Sequence, residues 1–226
     1  MDIIRDAHKN KNLHHAYLIE GPLAENFAAL VEFLEEAGFS TRGNPDFWTG
    51  EFETMGIDEG RVLSDKELRR AIGGGWKVFV VRAEGITVEA QNSLLKVLEE
   101  PTEGTHFFFL MPSGERLLPT LRSRLEIVPA RAEAAAEARK DAKKFLMMNQ
   151  AERGEFLKPV VTEKDKSGAL LFVSALEVEV RANLSLASAR REDIFVLEEI
   201  EKGRQYLLDR SPSVKIILEH IAAIAP

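Results

Sequence analysis

Lys77-Val78-Phe79-Val80-Val81 is an apolar run entered through one charged residue and followed by Arg82-Ala83-Glu84-Gly85. A strand with one wet face alternates apolar and polar residues, whereas a strand covered on both faces stays apolar, as in the centre of a parallel sheet. Two further runs share this character: Ala16-Tyr17-Leu18-Ile19-Glu20 and His106-Phe107-Phe108-Phe109-Leu110-Met111. Helix-period segments lie between them. Phe27, Leu30, Val31 and Leu34 share one face of a helix over Ala24–Ala37, which Gly38 stops. Thr87–Glu99 predicts another helix, ended by Pro101. Asp46–Thr49 predicts a strand interrupted by Gly50 and Gly56. Ser64 and Glu67 have the spacing of a capping box at the head of a short helix reaching Ile72, and glycines 73–75 break the chain before the central run. With Leu125–Val128 as a fifth strand, the fold class is α/β, an open five-stranded parallel sheet.

At Pro129 the pattern changes. Beyond it only helical periodicity is found: Ala132–Met147, a short turn near Gln150–Leu157, helices around Leu170–Leu186 and Ile194–Leu208, and a last helix. That last helix reads as Ser211 at the N-cap, Pro212 at N1, and a stripe of Val214, Ile217, Leu218, Ile221 and Ala222. The polar stretch Pro159–Ser167 reads as a linker. The expected domains are therefore an α/β module over 1–128, a short helical segment over 129–162, and an all-α domain over 163–226.

The composition fits this division. A chain of 226 residues, 45% hydrophobic and 30% charged, has enough apolar surface for a core, which excludes disordered and collagen-like classes. Residues 1–128 hold 14 Lys and Arg against 21 Asp and Glu; residues 129–226 hold 16 of each, so the net charge of −7 lies wholly in the α/β module. Contact with nucleic acid would need a local basic patch working against that field. The absence of cysteine excludes thiolate zinc sites, a cysteine nucleophile and disulfides. MDIIRDAHKNKN has no apolar secretion core, and no run of about 18 apolar residues is present, so the expected location is the cytoplasm.

Open parallel sheets bind ligands at the carboxyl ends of their strands. After the first strand the chain reads Gly21-Pro22-Leu23-Ala24-Glu25-Asn26-Phe27-Ala28. The position is that of a phosphate-binding loop, but the chemistry differs. Such a loop needs glycines that let N–H groups turn inward, a Lys for the phosphates, and a Ser or Thr for magnesium. Gly21 alone fits: Ala24 and Asn26 stand where glycines belong, Phe27 where the Lys belongs, and Ala28 in place of the hydroxyl. Phe27 also completes an apolar helix stripe, so its expected role is core packing. After the central strand, where an NTPase carries a metal-binding acid, stand Arg82 and Ala83, with Glu84 the nearest carboxylate. Met111-Pro112-Ser113 follows the fourth strand. An enzyme with an atypical loop and Glu84 as its metal ligand remains open at this point, as does a binding scaffold.

LHHAYLIEGP (13–22), AQNSLLKVLEEP (90–101) and LLPTLRSR (117–124), in this order, resemble the bacterial clamp-loader subunits of DNA polymerase III, an AAA+ family, and its delta-prime type above all. The resemblance covers residues 1–128 well and continues weakly through a shortened helical lid (129–162) and a helical collar (163–226) for oligomer assembly. It implies a degenerate ATPase: motor subunits keep Gly-Lys-Thr and the acidic strand end, which this chain lacks. It also implies that ATP and magnesium are held by neighbouring subunits, that this chain binds no cofactor, and that the family's four-Cys zinc knuckle is missing. The family's Ser-Arg-Cys motif is here Ser123-Arg124-Leu125, which makes Arg124 the counterpart of an arginine finger supplied in trans, with Ser123 in the same motif. Read without the family, Arg124 is a surface cation paired with Glu126 or solvent, and Arg122 is the neighbour to confuse it with. The implied partners are tau/gamma-type motor subunits, the delta subunit, the sliding clamp and primed DNA, with no membrane.

The remaining candidates point to packing or surface roles. His14 and His15 precede the first strand; Lys96, Glu99 and Glu100 close a helix; Arg139, Lys140, Lys143 and Lys144 cluster on one lid helix, a solvated face or one turned toward DNA or a neighbour.

Overall fold

Phe107, Phe108 and Phe109 turn alternately to the two faces of β4 (Thr105–Met111), and all three are fully buried. That alternation defines the first unit, because every central strand feeds two separate cores. Leu18 of β1 (Ala16–Glu20) and Phe79 and Val81 of β3 (Lys77–Ile86) join Phe107 and Phe109 on one face. Tyr17, Ile19, Val78 and Val80 join Phe108 on the other. Removing any one of these rings to Ala costs about 3–5 kcal/mol, the transfer loss plus the cavity.

The computed structural model describes residues 1–72, 75–129, 132–163, 165–183, 191–209 and 212–225. The sheet is wholly parallel, in the order β2-β3-β4-β1-β5, with β2 at Phe47–Met55 and β5 at Glu126–Val128. Helices α1 (Asp2–Lys9) and α2 (Leu23–Glu36) cover one face. Helices α3 (Ile57–Glu67), α4 (Val88–Glu99) and α5 (Pro119–Arg122) cover the other. Thr87 caps α4 by accepting the Ala90 N–H at 3.2 Å.

Several local expectations are corrected. The strand expected at Asp46–Thr49 runs on to Met55, through Gly50, where a Cβ would lie 2.6 Å from the Trp48 ring and 2.7 Å from the Phe52 ring. Gly50 is what allows those two same-face rings to close over the backbone. Ser64 and Glu67 do not open a helix; they lie near the end of α3, whose head is Gly56, with its N–H donated to the Glu59 carboxylate at 2.9 Å. Arg82, Ala83 and Glu84 are not loop residues, since β3 continues to Ile86 in register with β2. Helix α1 carries no apolar run long enough to announce it; Asp2 in its first turn and His8 and Lys9 in its last suit the helix dipole. Gly73 and Gly74 lie outside the described residues.

Chain contacts divide the protein into Met1–Ala130 and Arg131–Pro226. The second unit contains α6 (Ala132–Leu146), α7 (Gln150–Glu163), α8 (Lys166–Asn183), α9 (Arg191–Leu207) and α10 (Val214–Ile224) around one core. The linker expected at Pro159–Ser167 is corrected: α7 passes through Pro159 and α8 begins at Lys166, so helix occupies most of it. Likewise the turn near Gln150–Leu157 is a full helix, opened by a reciprocal cap in which Glu152 N–H donates to Asn149 Oδ1 at 3.1 Å and Asn149 N–H to Glu152 Oε2 at 2.9 Å. The N-cap of α10 is Ser213, and Pro212 precedes the helix; Ser211 and Leu186 lie outside the described residues.

Arg153 locks this helical core. Its guanidinium is buried and donates to the Phe145 carbonyl at 3.2 Å, the Leu146 carbonyl at 3.4 Å and the Ala225 carbonyl at 2.7 Å, tying the last turn of α6 to the end of α10. Burial lowers its pKa from the ordinary arginine value.

Candidate functional site

The carboxyl end of the sheet brings together the residues of the phosphate-loop region. Gly21 leaves β1 at φ +116°, a conformation that favours glycine, and its N–H donates to the Met111 carbonyl at 3.0 Å. Asn26, buried in the first turns of α2, donates to the Glu20 carbonyl at 3.1 Å. Pro22 is the N-cap of α2; Ala24 and Ala28 face solvent. Two hydrogen bonds thus fix the loop to the ends of β1 and β4.

Phe27 and Arg82, two separate departures from a phosphate site, touch each other. The Arg82 guanidinium lies 4.2 Å over the Phe27 ring, and its terminal nitrogen meets Glu51 at 2.8 Å. Phe27 packs its other side on the α1–α2 core, as its helix stripe predicts. Buried Arg82 Nε has no hydrogen-bond partner among the described residues. Ala83 is buried, while Glu84 is half-buried on the strand.

A third group completes this end. Glu20 Oε1 accepts the Gly114 N–H at 2.7 Å, so a carboxylate bridges the ends of β1 and β4 beside the loop. Ser113 accepts the Glu115 N–H at 3.2 Å through its hydroxyl. A triphosphate with magnesium does not fit these residues. It would meet a carboxylate and a stacked ring where phosphate recognition needs a lysine and inward N–H groups, and a guanidinium where the metal needs an acid. Among the described residues no cluster of three His, Asp or Glu is arranged to hold a metal ion.

Arg124 sits on the same unit, in the turn between α5 and β5. Its side chain is 29% exposed, Nη1 donates to the Thr120 carbonyl at 2.5 Å, Nη2 is held by the Glu99 carboxylate, and buried Nε has no partner among the described residues. Its acidic partner is therefore Glu99, at the end of α4, rather than Glu126. Arg122 is distinguished by direction: its Nη1 faces the Gly114 carbonyl at 3.4 Å. Ser123 donates its hydroxyl to Thr120 O at 3.1 Å, closing α5.

Helix α4 fixes this segment at both ends. At its start, buried Gln91 donates to the Ile86 carbonyl at 2.9 Å and accepts the Leu118 N–H at 2.6 Å, just ahead of α5. At its far end stands Glu99. Nothing in the spacing of Gln91 marks it, so sequence reasoning missed it.

Residues 40–133 match the family model described as DNA polymerase III, delta subunit. The DNA polymerase III subunit delta' of Escherichia coli strain K12 is 42% identical over 89 residues, which are 37% of this chain and 27% of that protein. Over this stretch the chain is similar to delta-prime subunits. The delta-prime protein of Pseudomonas aeruginosa PAO1 is 34% identical over 134 residues, covering 49% of this chain and 41% of that one. These matches span less than half the length of either delta-prime relative. A solved DNA polymerase III gamma subunit-related protein from Thermotoga maritima MSB8 aligns over 94% of both chains at 16% identity, with a TM-score of 0.47.

The other candidate residues divide between hydrogen bonds inside the first unit and exposed surface. His15 Nε2 bonds to the Leu98 carbonyl at 2.9 Å and His106 Nδ1 to the His14 carbonyl at 3.0 Å, tying the approach to β1 to α4 and β4. Lys96 and Glu100 are exposed beside Glu99. The basic cluster on α6 is largely engaged: Arg139 and Lys143 meet Glu179 of α8 at 3.1 and 3.9 Å, Lys140 meets Glu137 at 2.9 Å, and Lys144 lies 5.8 Å from the Phe156 ring centre. No helix among the described residues is long and apolar enough to cross a membrane.

Proposed function

We propose that this chain is a non-catalytic, delta-prime-like subunit of a bacterial clamp loader, one that binds no nucleotide at its β1 loop and supplies Arg124 to a neighbour's ATP site. The observation that carries the reading is the pairing of Arg82 with Phe27: two changes that remove the metal-binding acid and the phosphate lysine have become one packed contact. Arg124 remains chemically competent, because a guanidinium stays charged under all physiological conditions and its planar fork matches phosphate oxygens. Supplied in trans, such a group neutralises charge that develops in the phosphoryl-transfer transition state, and is worth about a thousandfold or more in turnover.

In this reading ATP and magnesium belong to tau/gamma-type motor subunits, and the chain assembles with them and a delta subunit in the cytoplasm. Residues 163–226 serve as the collar and 129–162 as the lid. The assembly opens a sliding clamp and closes it on primed DNA.

The test is reconstitution with the matching motor and delta subunits. Arg124→Ala is expected to leave assembly intact by size-exclusion chromatography and to reduce DNA-stimulated ATP turnover at least tenfold. Unchanged turnover and clamp loading would overturn the finger role.

A further inference from the structure

At the opposite end of the sheet from the β1 loop lies a cavity of 380 Å³, at the entry of β2 and β3 and beside the end of α3. Its size falls at the lower end of the range for small-ligand pockets, about 300–1,000 Å³. Its lining is out of keeping with its unit. The unit is strongly acidic, yet four of the 14 cations in residues 1–128 line this one cavity: Lys66, Arg69, Arg70 and Lys77.

These cations are not all equivalent. Lys77 is buried and occupied: its Nζ donates to the Glu67 carbonyl and, at 2.7 Å, to the Arg69 carbonyl, and stands 3.8 Å from the Glu67 carboxylate. It therefore already serves the carbonyl end of α3. The side chains of Lys66, Arg69 and Arg70 are not needed for that purpose, and among the described residues no ion pair or hydrogen bond engages those side chains. The one acid in the lining, Asp46, accepts the Ile72 N–H at 3.0 Å. The cavity thus carries surplus positive charge.

The other wall is aromatic. Trp48 and Phe79 are register partners on β2 and β3, with ring centres 6.3 Å apart on one face of the sheet, while the neighbouring Phe47 packs with the core on the other face. Trp48 is half-buried, so part of its surface is open. One end suits a dianion, because Arg forks match phosphate oxygens. The other suits a flat ring, which gains stacking energy on an aromatic side chain. An acidic peptide spreads single charges along a chain and asks for a long groove; a pocket of this size, with cations on one side and an aromatic wall on the other, asks for a compact ligand with both features.

We propose that this cavity is a binding site for a small phosphorylated ligand with a planar ring, of the nucleoside monophosphate class. The site is separate from the β1 loop and does not depend on the clamp-loader reading.

The test uses the full chain carrying Trp76→Phe, so that fluorescence reports Trp48 alone. Titration with AMP is expected to give a saturable change with Kd at or below about 1 mM, while adenosine and inorganic phosphate each bind at least tenfold more weakly. Arg69→Ala/Arg70→Ala, whose side chains are exposed and whose fold is checked by circular dichroism, is expected to weaken AMP at least tenfold. Amide shifts of Trp48 and Phe79 in NMR spectra should follow the same curve. The proposal is overturned if AMP gives no saturable change, if it binds the double variant undiminished, or if phosphate alone binds as well as AMP.

Discussion

The Glu99 carboxylate holds the Nη2 of Arg124 across 25 residues of sequence, joining the last residue of α4 to the turn that enters β5. Glu99 is 50% exposed at its side chain and Arg124 29%, so solvent screens the pair. Such pairs contribute about 0–1 kcal/mol. Glu99→Gln should therefore leave the urea midpoint of the isolated chain nearly unmoved. In the reconstituted assembly it should change ATP turnover, because a phosphate must compete with this carboxylate for the same fork. A large loss of stability in Glu99→Gln would contradict the first expectation; turnover identical to the parent would contradict the second.

Glu67 is a different kind of partner. It is 1% exposed, and its Oε1 accepts both the N–H and the hydroxyl of Thr102 at 2.6 Å while facing Lys77. Removing one member of a buried pair strands the other charge, at a cost of about 3–5 kcal/mol. Glu67→Ala should lower the unfolding free energy by that order, measured by urea titration. Replacing Glu67 and Lys77 together by Leu and Met should cost less than Glu67→Ala alone.

Arg153 gives the helical unit its own vulnerable point. Arg153→Met keeps the stem and leaves the Phe145, Leu146 and Ala225 carbonyls without their donor, at about 2–4 kcal/mol for charged hydrogen bonds lost in a buried setting. Hydrogen exchange should show α6 and α10 losing protection while β1, β3 and β4 keep theirs. Equal loss across both units would refute this.

Acid should weaken the α/β unit. Burial pushes the pKa of His106 down, helped by the nearby His8, His14 and His15, and burial also lowers His15. The unfolded chain then binds protons more readily than the native one, so stability is complete above about pH 6.5 and falls as pH drops below it. Urea midpoints at pH 7.5 and 5.5 should differ in that direction. His106→Gln should flatten the difference; a slope of opposite sign would exclude this account.

The parts of the fold legible in sequence are those whose burial is total. KVFVV, AYLIE and HFFFLM report two covered faces because no residue in their centres meets water. β2 was harder to delimit: it alternates, and Gly50 and Gly56 imitate breaks although Gly50 only makes room for two rings. Ser64 and Glu67 have capping spacing, yet Glu67 answers Thr102, 35 residues away, which local spacing cannot reveal. Asn149 and Glu152 carry a true capping signal that Pro159 obscures, since an exposed proline inside α7 resembles a helix end. At the candidate site the substituted residue types are plain in the sequence, but the contact of Phe27 with Arg82 and the grip of Glu99 on Arg124 join distant segments and emerge only with the fold.

Gln91 and Glu99 stand at opposite ends of α4, and each fastens a different point of the segment from Leu118 to Arg124. Gln91 is buried and the Glu99 contact is open to solvent, so the segment is fastened firmly at Leu118 and lightly at Arg124: its backbone keeps its place while the guanidinium can exchange one oxygen partner for another.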